Sequence, residues 1–217
     1  MARPSHDTPQ RRSPQRLMGR HSRQWLGAAL AALTFRAFAV SPAHAQDGTT
    51  VTGTAGGRGG GPFTLACPSG MAMVGVNGRY GAWVDAIAPI CAIWVPGSRT
   101  LGSIDEQPGT GGGGGGRGWM RCEGRQGVAV GLWVWQAANE DRSVGRVLLE
   151  CGQYEDPRRR ANNLPGGALA FGESIGGPRV ELRCGPGEVA VGLYGRSGAF
   201  VDRVGLLCQR SRGLATR

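Results

Sequence analysis

Two aspartates end the same phrase. Residues 78–85 read GRYGAWVD and residues 195–202 read GRSGAFVD, so that Gly81-Ala82-Trp83-Val84-Asp85 and Gly198-Ala199-Phe200-Val201-Asp202 share the pattern G-x-x-x-D. An ionised aspartate offers two acceptor oxygens, and charge-assisted hydrogen bonds are stronger than neutral ones. Backbone N–H groups at a chain reversal lack ladder partners and can donate. Glycine lets a ligand approach the backbone closely, and Trp83 or Phe200 could cover an apolar C–H face. That combination suits a polyol such as a hexose, whose neighbouring hydroxyls both donate and accept. The competing chemistry is internal. An aspartate after a tight turn often bonds backbone N–H groups and fixes its own loop, and Arg79 and Arg196 could pair with Asp85 and Asp202 as a brace.

Other chemistries are thinly supplied. The three histidines, His6, His21 and His44, all lie before residue 46, and the chain has no lysine. Residues 46–217 therefore lack an imidazole base and a Schiff-base amine, which excludes Ser-His and Cys-His nucleophilic catalysis and His-ligated zinc. Zinc on cysteines alone would need paired short spacings such as C-x-x-C, and the six cysteines (Cys67, Cys91, Cys122, Cys151, Cys184 and Cys208) contain none. The expectation is a protein that is not an enzyme and has no cofactor or metal. An even cysteine count behind an export signal reads as disulfides.

The export signal is read in residues 1–45: an Arg-rich stretch, a short apolar run and an A-x-A ending at Ala43-His44-Ala45, with cleavage before Gln46. A start at Met18 would give a leader of ordinary proportions. The apolar run is too short and too charged for a membrane span, so none is expected after cleavage. The product would be secreted or periplasmic. Residues 46–217 hold 18 Arg against 14 acidic residues, a net charge near +4, which removes most of the case for nucleic acid as a partner. Arg158, Arg159 and Arg160 read as a solvated loop.

The elements that position the aspartates come from a repeat. Residues 67–91 lie over residues 184–208 without a gap and agree at 11 of 25 positions, both cysteines included. A looser copy runs from Cys122 to Cys151 and shares VAVGL with the last one. Three units, at about residues 50–105, 112–160 and 165–212, fill the chain after the leader and are joined by Gly-rich connectors. Each reads as strands: apolar residues alternate in GEVAVGLYG, no stretch sustains a helical period, and glycine supplies about a fifth of the residues. The twin phrases are the tips of β-hairpins, with Gly195 and Gly198 expected at positive φ. Six cysteines allow 15 pairings; the repeat selects Cys67–Cys91, Cys122–Cys151 and Cys184–Cys208, each across the outer ends of a folded-back pair. Trp133 and Trp135 are two apart on one strand face and are read as core packing.

The stretch VGLYGRSGAFVDRVGLLC, residues 191–208, is similar to the last hairpin of jacalin-related lectins. The cysteine-bounded triplication also resembles the vitelline membrane outer layer protein. Both resemblances imply an all-β β-prism of three pseudo-repeated Greek-key sheets. The lectin resemblance implies a sugar site at each G-x-x-x-D loop, formed by Gly198, Ala199, Phe200 and Asp202 and by Gly81, Ala82, Trp83 and Asp85, with carbohydrate as the partner. A neighbouring Gly-rich loop completes such a site. The expected counterparts are GGRGGG, residues 56–61, for the first unit and Gly176-Gly177 for the last. The loop QAANEDRSV of the middle unit, with Glu140 and Asp141, lacks the glycine spacing. On a threefold prism Asp85 and Asp202 fall on different sheets, too far apart for the paired carboxylates of a glycosidase. The alternative is a structural envelope or secreted scaffold with no small-ligand site.

Overall fold

The computed structural model describes residues 48–138, 141–163, 167–168, 170–173 and 176–214. The expected leader, with Met18, lies outside them, as does Glu140. No helix among the described residues is long and apolar enough to cross a membrane.

Short alternating runs form thirteen strands: β1 (Thr50–Gly56), β2 (Gly61–Ala66), β3 (Met71–Tyr80), β4 (Val84–Val95), β5 (Thr100–Glu106), β6 (Thr110–Gly111), β7 (Gly116–Arg121), β8 (Gly127–Gln136), β9 (Val144–Gln153), β10 (Arg160–Ala161), β11 (Arg179–Arg183), β12 (Glu188–Ser197) and β13 (Val201–Arg210). A single helical turn, α1 (Ser211–Leu214), follows. The pairs β3–β4, β8–β9 and β12–β13 are antiparallel hairpins. Each becomes the centre of one sheet. The first sheet has the order β5-β4-β3-β7, with β6 also beside β4; the middle sheet is β10-β9-β8-β11; the third is β1-β13-β12-β2. In each, the last outer strand crosses over to lie beside the first strand of the hairpin, which is Greek-key connectivity.

The inner strands β3, β8 and β12 pack against one another pairwise. Val76 and Ile87, Leu132 and Val134, and Leu193 and Val204 bring the three sheets into one buried core. Burying an aliphatic side chain of this kind contributes ~1.5–3 kcal/mol. Three Greek-key sheets facing a common interior make a β-prism. A second cluster, with Val74, Val130 and Val191, lies nearer the other end and is closed by Trp94 stacked on Tyr154 at 4.1 Å.

The sheets are out of phase with the sequence units. The third sheet takes β1 and β2 from the start of the described chain and β12 and β13 from its end. The disulfides acquire a different role from this offset. Cys67–Cys91, Cys122–Cys151 and Cys184–Cys208 are formed, with Cα separations of 5.7, 5.5 and 5.6 Å. They do not clamp single hairpins. Cys67 directly follows β2 of the third sheet and bonds to β4 of the first. Cys122 follows β7 of the first and bonds to β9 of the middle. Cys184 follows β11 of the middle and bonds to β13 of the third. A β-bulge prepares each junction. The hairpin ladders skip Val74, Val130 and Val191. The carbonyls of these residues accept the N–H of Cys122 at 2.9 Å, Cys184 at 2.9 Å and Cys67 at 2.8 Å. A bulge leaves a residue outside the ladder, and here the cysteine that follows the adjoining outer strand satisfies its carbonyl.

Candidate functional site

Both twin phrases form hairpin tips. The Gly81 N–H donates to the Trp83 carbonyl at 3.0 Å, and Gly198 to Phe200 at 2.9 Å. These bonds close three-residue reversals and engage the two glycine amides. The N–H groups of Ala82, Trp83, Ala199 and Phe200 make no hydrogen bond among the described residues, and Ala82 and Ala199 are exposed. Gly195 takes the expected positive φ, at 156°, whereas Gly198 does not. Gly195 answers to space as well: a side chain there would begin 2.0 Å from the Arg203 carbonyl oxygen.

A Gly-rich loop covers each aspartate, and the pairing of loops with tips differs from the expected one. Residues 56–61 lie over Asp202, not over the first unit's Asp85; residues 111–116 lie over Asp85. Gly57 donates its N–H to the Asp202 carbonyl at 2.7 Å and Gly112 to the Asp85 carbonyl at 2.8 Å. A Cβ at Gly59 would stand 2.4 Å from Asp202 Oδ1, and one at Gly114 would stand 2.3 Å from Asp85 Oδ1. Gly60 and Gly115 share φ of 59°, a conformation that costs a side-chain-bearing residue energy. Gly176 and Gly177 pack on Ala138 and Gln136 of the middle hairpin instead. The expected pairing assumed that a connector serves the hairpin nearest in sequence. The closure of the third sheet by β1 and β2 carries the first loop to the last hairpin.

The repeated arginines hold these loops. Arg196 Nε donates to the carbonyls of Gly59 at 2.8 Å and Arg58 at 3.1 Å, and its Nη2 to Gly60 at 2.5 Å. Arg79 Nε donates to Gly114 at 2.7 Å and its Nη2 to Gly115 at 2.6 Å. Neither arginine forms an ion pair with its aspartate among the described residues. The brace is therefore from arginine to loop carbonyl, and the carboxylate lies beneath the same loop. Asp85 and Asp202 are 6% and 8% exposed. Burial, and secondarily the charge of Asp141, pushes the Asp202 carboxyl above its ordinary pKa, opposed by the Arg196 charge and a hydrogen bond with Ser143.

Each tip also meets the neighbouring sheet. A Cβ at Gly112 would strike the Ala199 carbonyl, one at Gly57 the Asp141 carbonyl, and one at Gly172 would lie 3.2 Å from the Trp83 backbone. Trp83 and Phe200 pack edge to face, ring centroids 4.7 Å apart. The two aspartate loops are thus neighbours at one end of the prism, sharing a wall of two half-buried aromatic rings.

The middle sheet lacks the set. In the hairpin registers, Trp135 opposite Arg146 stands where Arg79 and Arg196 stand, and the residue after Val144 is Gly145 where Asp85 and Asp202 follow Val84 and Val201. Phe171, fully buried and stacked on Tyr80 at 4.7 Å, fills that end of the interior. Trp133 and Trp135 are not core residues. Leu132 and Val134 face the core, and the tryptophans lie on the other face beneath Arg179, whose guanidinium is 4.6 Å from the Trp133 ring centroid. A run with apolar residues on both faces does not reveal which set points inward.

No protein-family model and no curated protein matches the chain. Solved structures do. Malaysian banana lectin matches at 19% identity and a TM-score of 0.54, over 75% of this chain and 99% of its own. Artocarpin, in complex with methyl-α-mannose, matches at 14% and 0.55, over 75% and 98%. Calystegia sepium agglutinin matches at 19% and 0.53, over 75% and 97%. The likeness lies in the backbone rather than the side chains, and what it establishes is the fold: this chain carries the β-prism of the jacalin-related lectins.

Proposed function

We propose that the protein binds carbohydrate without altering it, through the loops ending in Asp85 and Asp202. The observation that carries this reading is the twice-built arrangement of a carboxylate under an arginine-held glycine loop, beside tip amides that have no partner among the described residues. The Asp oxygens would accept sugar hydroxyls, and the amides near Ala82 and Ala199 would donate. Artocarpin has been solved with methyl-α-mannose and with mannotriose, so mannosides are the first probes. One such site supports an affinity of ~1 mM, and two neighbouring sites on one rigid body gain from multivalency. Residues 46–217 hold no histidine or lysine, which supports binding over catalysis. Three disulfides and the leader-like residues 1–45 support export.

A scaffold without a ligand remains the second reading, favoured by the burial of both aspartates. A glycan array probed with residues 46–217 separates the two. Retention that the double variant Asp85→Ala/Asp202→Ala abolishes while keeping its β-sheet circular dichroism supports binding. If the parent ignores every glycan and the variant unfolds, the aspartates serve the fold alone.

A further inference from the structure

The two aspartate loops are built alike but are not lined alike. Beside Asp202 a pocket of about 430 Å³ opens between the third and middle sheets, lined by Arg58, Arg142 and Arg203 with Asp141, Gln136 and the backbone of Gly56 and Gly57. None of the three arginines forms an ion pair among the described residues. Arg142 sits at a φ of 50°, unusual for a residue with a side chain. Gln136 brings a buried side-chain oxygen, Oε1, that has no hydrogen-bond partner among the described residues.

The other copy shows that these cations are not needed to make the loop. Gly56 pairs with Arg203 as Gly111 pairs with Ala86. Gly57 and Gly112 donate equivalent bonds, and Gly60 and Gly115 have the same φ. Counting between these anchors, Arg58 corresponds to Gly113 and Arg203 to Ala86. The neighbouring tip that supplies Asp141 and Arg142 at one site supplies Ala199 at the other. The same scaffold thus exists with and without the arginines.

We propose that the Asp202 loop and this cationic pocket together take an acidic glycan, the loop holding a neutral sugar's hydroxyls and Arg58, Arg142 and Arg203 holding a carboxylate or phosphate substituent beside it. Guanidinium groups match the geometry of such anions and bind them in bidentate fashion. The Asp85 loop, with Gly113 and Ala86, takes neutral sugar only. This inference deepens the carbohydrate-binding reading and rests on it.

The test compares immobilised mannan with phosphomannan, the same sugar bearing phosphate groups, at low salt. The parent should bind phosphomannan about tenfold more tightly, a difference of ~1.4 kcal/mol. The variant Arg58→Gly/Arg203→Ala carries the residues of the Asp85 site and should lose that preference, binding the two polymers alike. The variant Arg158→Ala/Arg159→Ala, which removes equal charge from the turn beyond the other end of β9, should keep it. Equal affinity of the parent for both polymers overturns the acidic-glycan assignment and leaves sugar binding standing. A preference lost equally in both variants also overturns it, as general charge attraction. Retention of neither polymer overturns this inference and the carbohydrate reading together.

Discussion

Arg196 Nε donates to the Gly59 carbonyl at 2.8 Å, and Arg79 Nε donates to the corresponding Gly114 carbonyl at 2.7 Å. The arginine thereby sets the position of the backbone that covers the carboxylate. Arg196→Ala should weaken mannoside binding at the Asp202 loop by about tenfold, or ~1.4 kcal/mol. Lysine should restore little, because a point charge cannot reproduce a planar fork that reaches successive carbonyls. Titration calorimetry in an Asp85→Ala background reads this one loop. Unchanged affinity in Arg196→Ala would show that the loop holds its shape unaided.

Asp202 makes a pH-dependent prediction. Its carboxyl pKa is raised, chiefly by burial, so the folded chain holds this proton more tightly than the unfolded chain. The group's stabilising contribution is fully present below the unfolded-state pKa and is lost as pH rises through the folded-state value. At neutral pH its ionised form is a cost to the fold. Asp202→Asn should therefore match or exceed the parent Tm at about pH 7, and the gain should vanish by about pH 3, where the carboxyl is protonated. Mannoside binding at this loop should fall with acidification at a higher pH than for an ordinary aspartate. A variant Tm well below the parent's at neutral pH would mark Asp202 as a structural brace.

Trp83 and Phe200 join the two loops through their rings. A double-mutant cycle with Trp83→Ala and Phe200→Ala should show a coupling of ~0.5–1.5 kcal/mol in unfolding free energy. Trp83→Ala should also perturb binding at the Asp202 loop, although the tryptophan belongs to the other sheet. Additive effects in the cycle would count against the shared wall.

Each disulfide closes a loop of 24 or 29 residues in sequence separation. The chain-entropy relation assigns loops of this size ~3.5 kcal/mol each. Cys122→Ala/Cys151→Ala should lower Tm by about 10 °C, at the ~2–4 °C per kcal/mol usual for this chain length. Scanning calorimetry checks the shift. A change below about 2 °C would mean that the first and middle sheets stay joined through their packing alone.

The Tyr154 hydroxyl donates to the Ser211 carbonyl at 2.5 Å, tying α1 to the second cluster. Burial pushes its pKa to about 12 from the ordinary 10.0. Its contribution is present below the ordinary value and is lost as pH rises through about 12. Tyr154→Phe should cost ~1 kcal/mol at neutral pH and should flatten the loss of stability between pH 10 and 12, as followed by urea denaturation. An unaltered alkaline profile would assign that loss to another group, such as Tyr194, whose pKa burial also raises.

Much of this body was legible in the sequence because its signals are local. Cysteine spacing, alternation and the phrase ending in Asp85 and Asp202 name hairpins without knowledge of their neighbours. The assignment of loops to aspartates was not legible, because it depends on β1 and β2 joining a hairpin more than a hundred residues away. The sequence does not show which face Trp133 and Trp135 take, because Leu132 and Val134 offer an equally apolar alternative one residue out of phase. The arginine pocket lay hidden for a related reason. Arg58, Arg142 and Arg203 are far apart along the chain and meet only when two sheets are set side by side.

The pairing of β1 with β13 sets Thr50 opposite Cys208 and Gly56 opposite Arg203. The seam between the earliest and latest strands is thus a ladder like those inside the other two sheets. A circular permutant that splices this seam and reopens the thread in another connector should rebuild the same body. Gene order, on this view, records where the ring was cut and places no further demand on its shape.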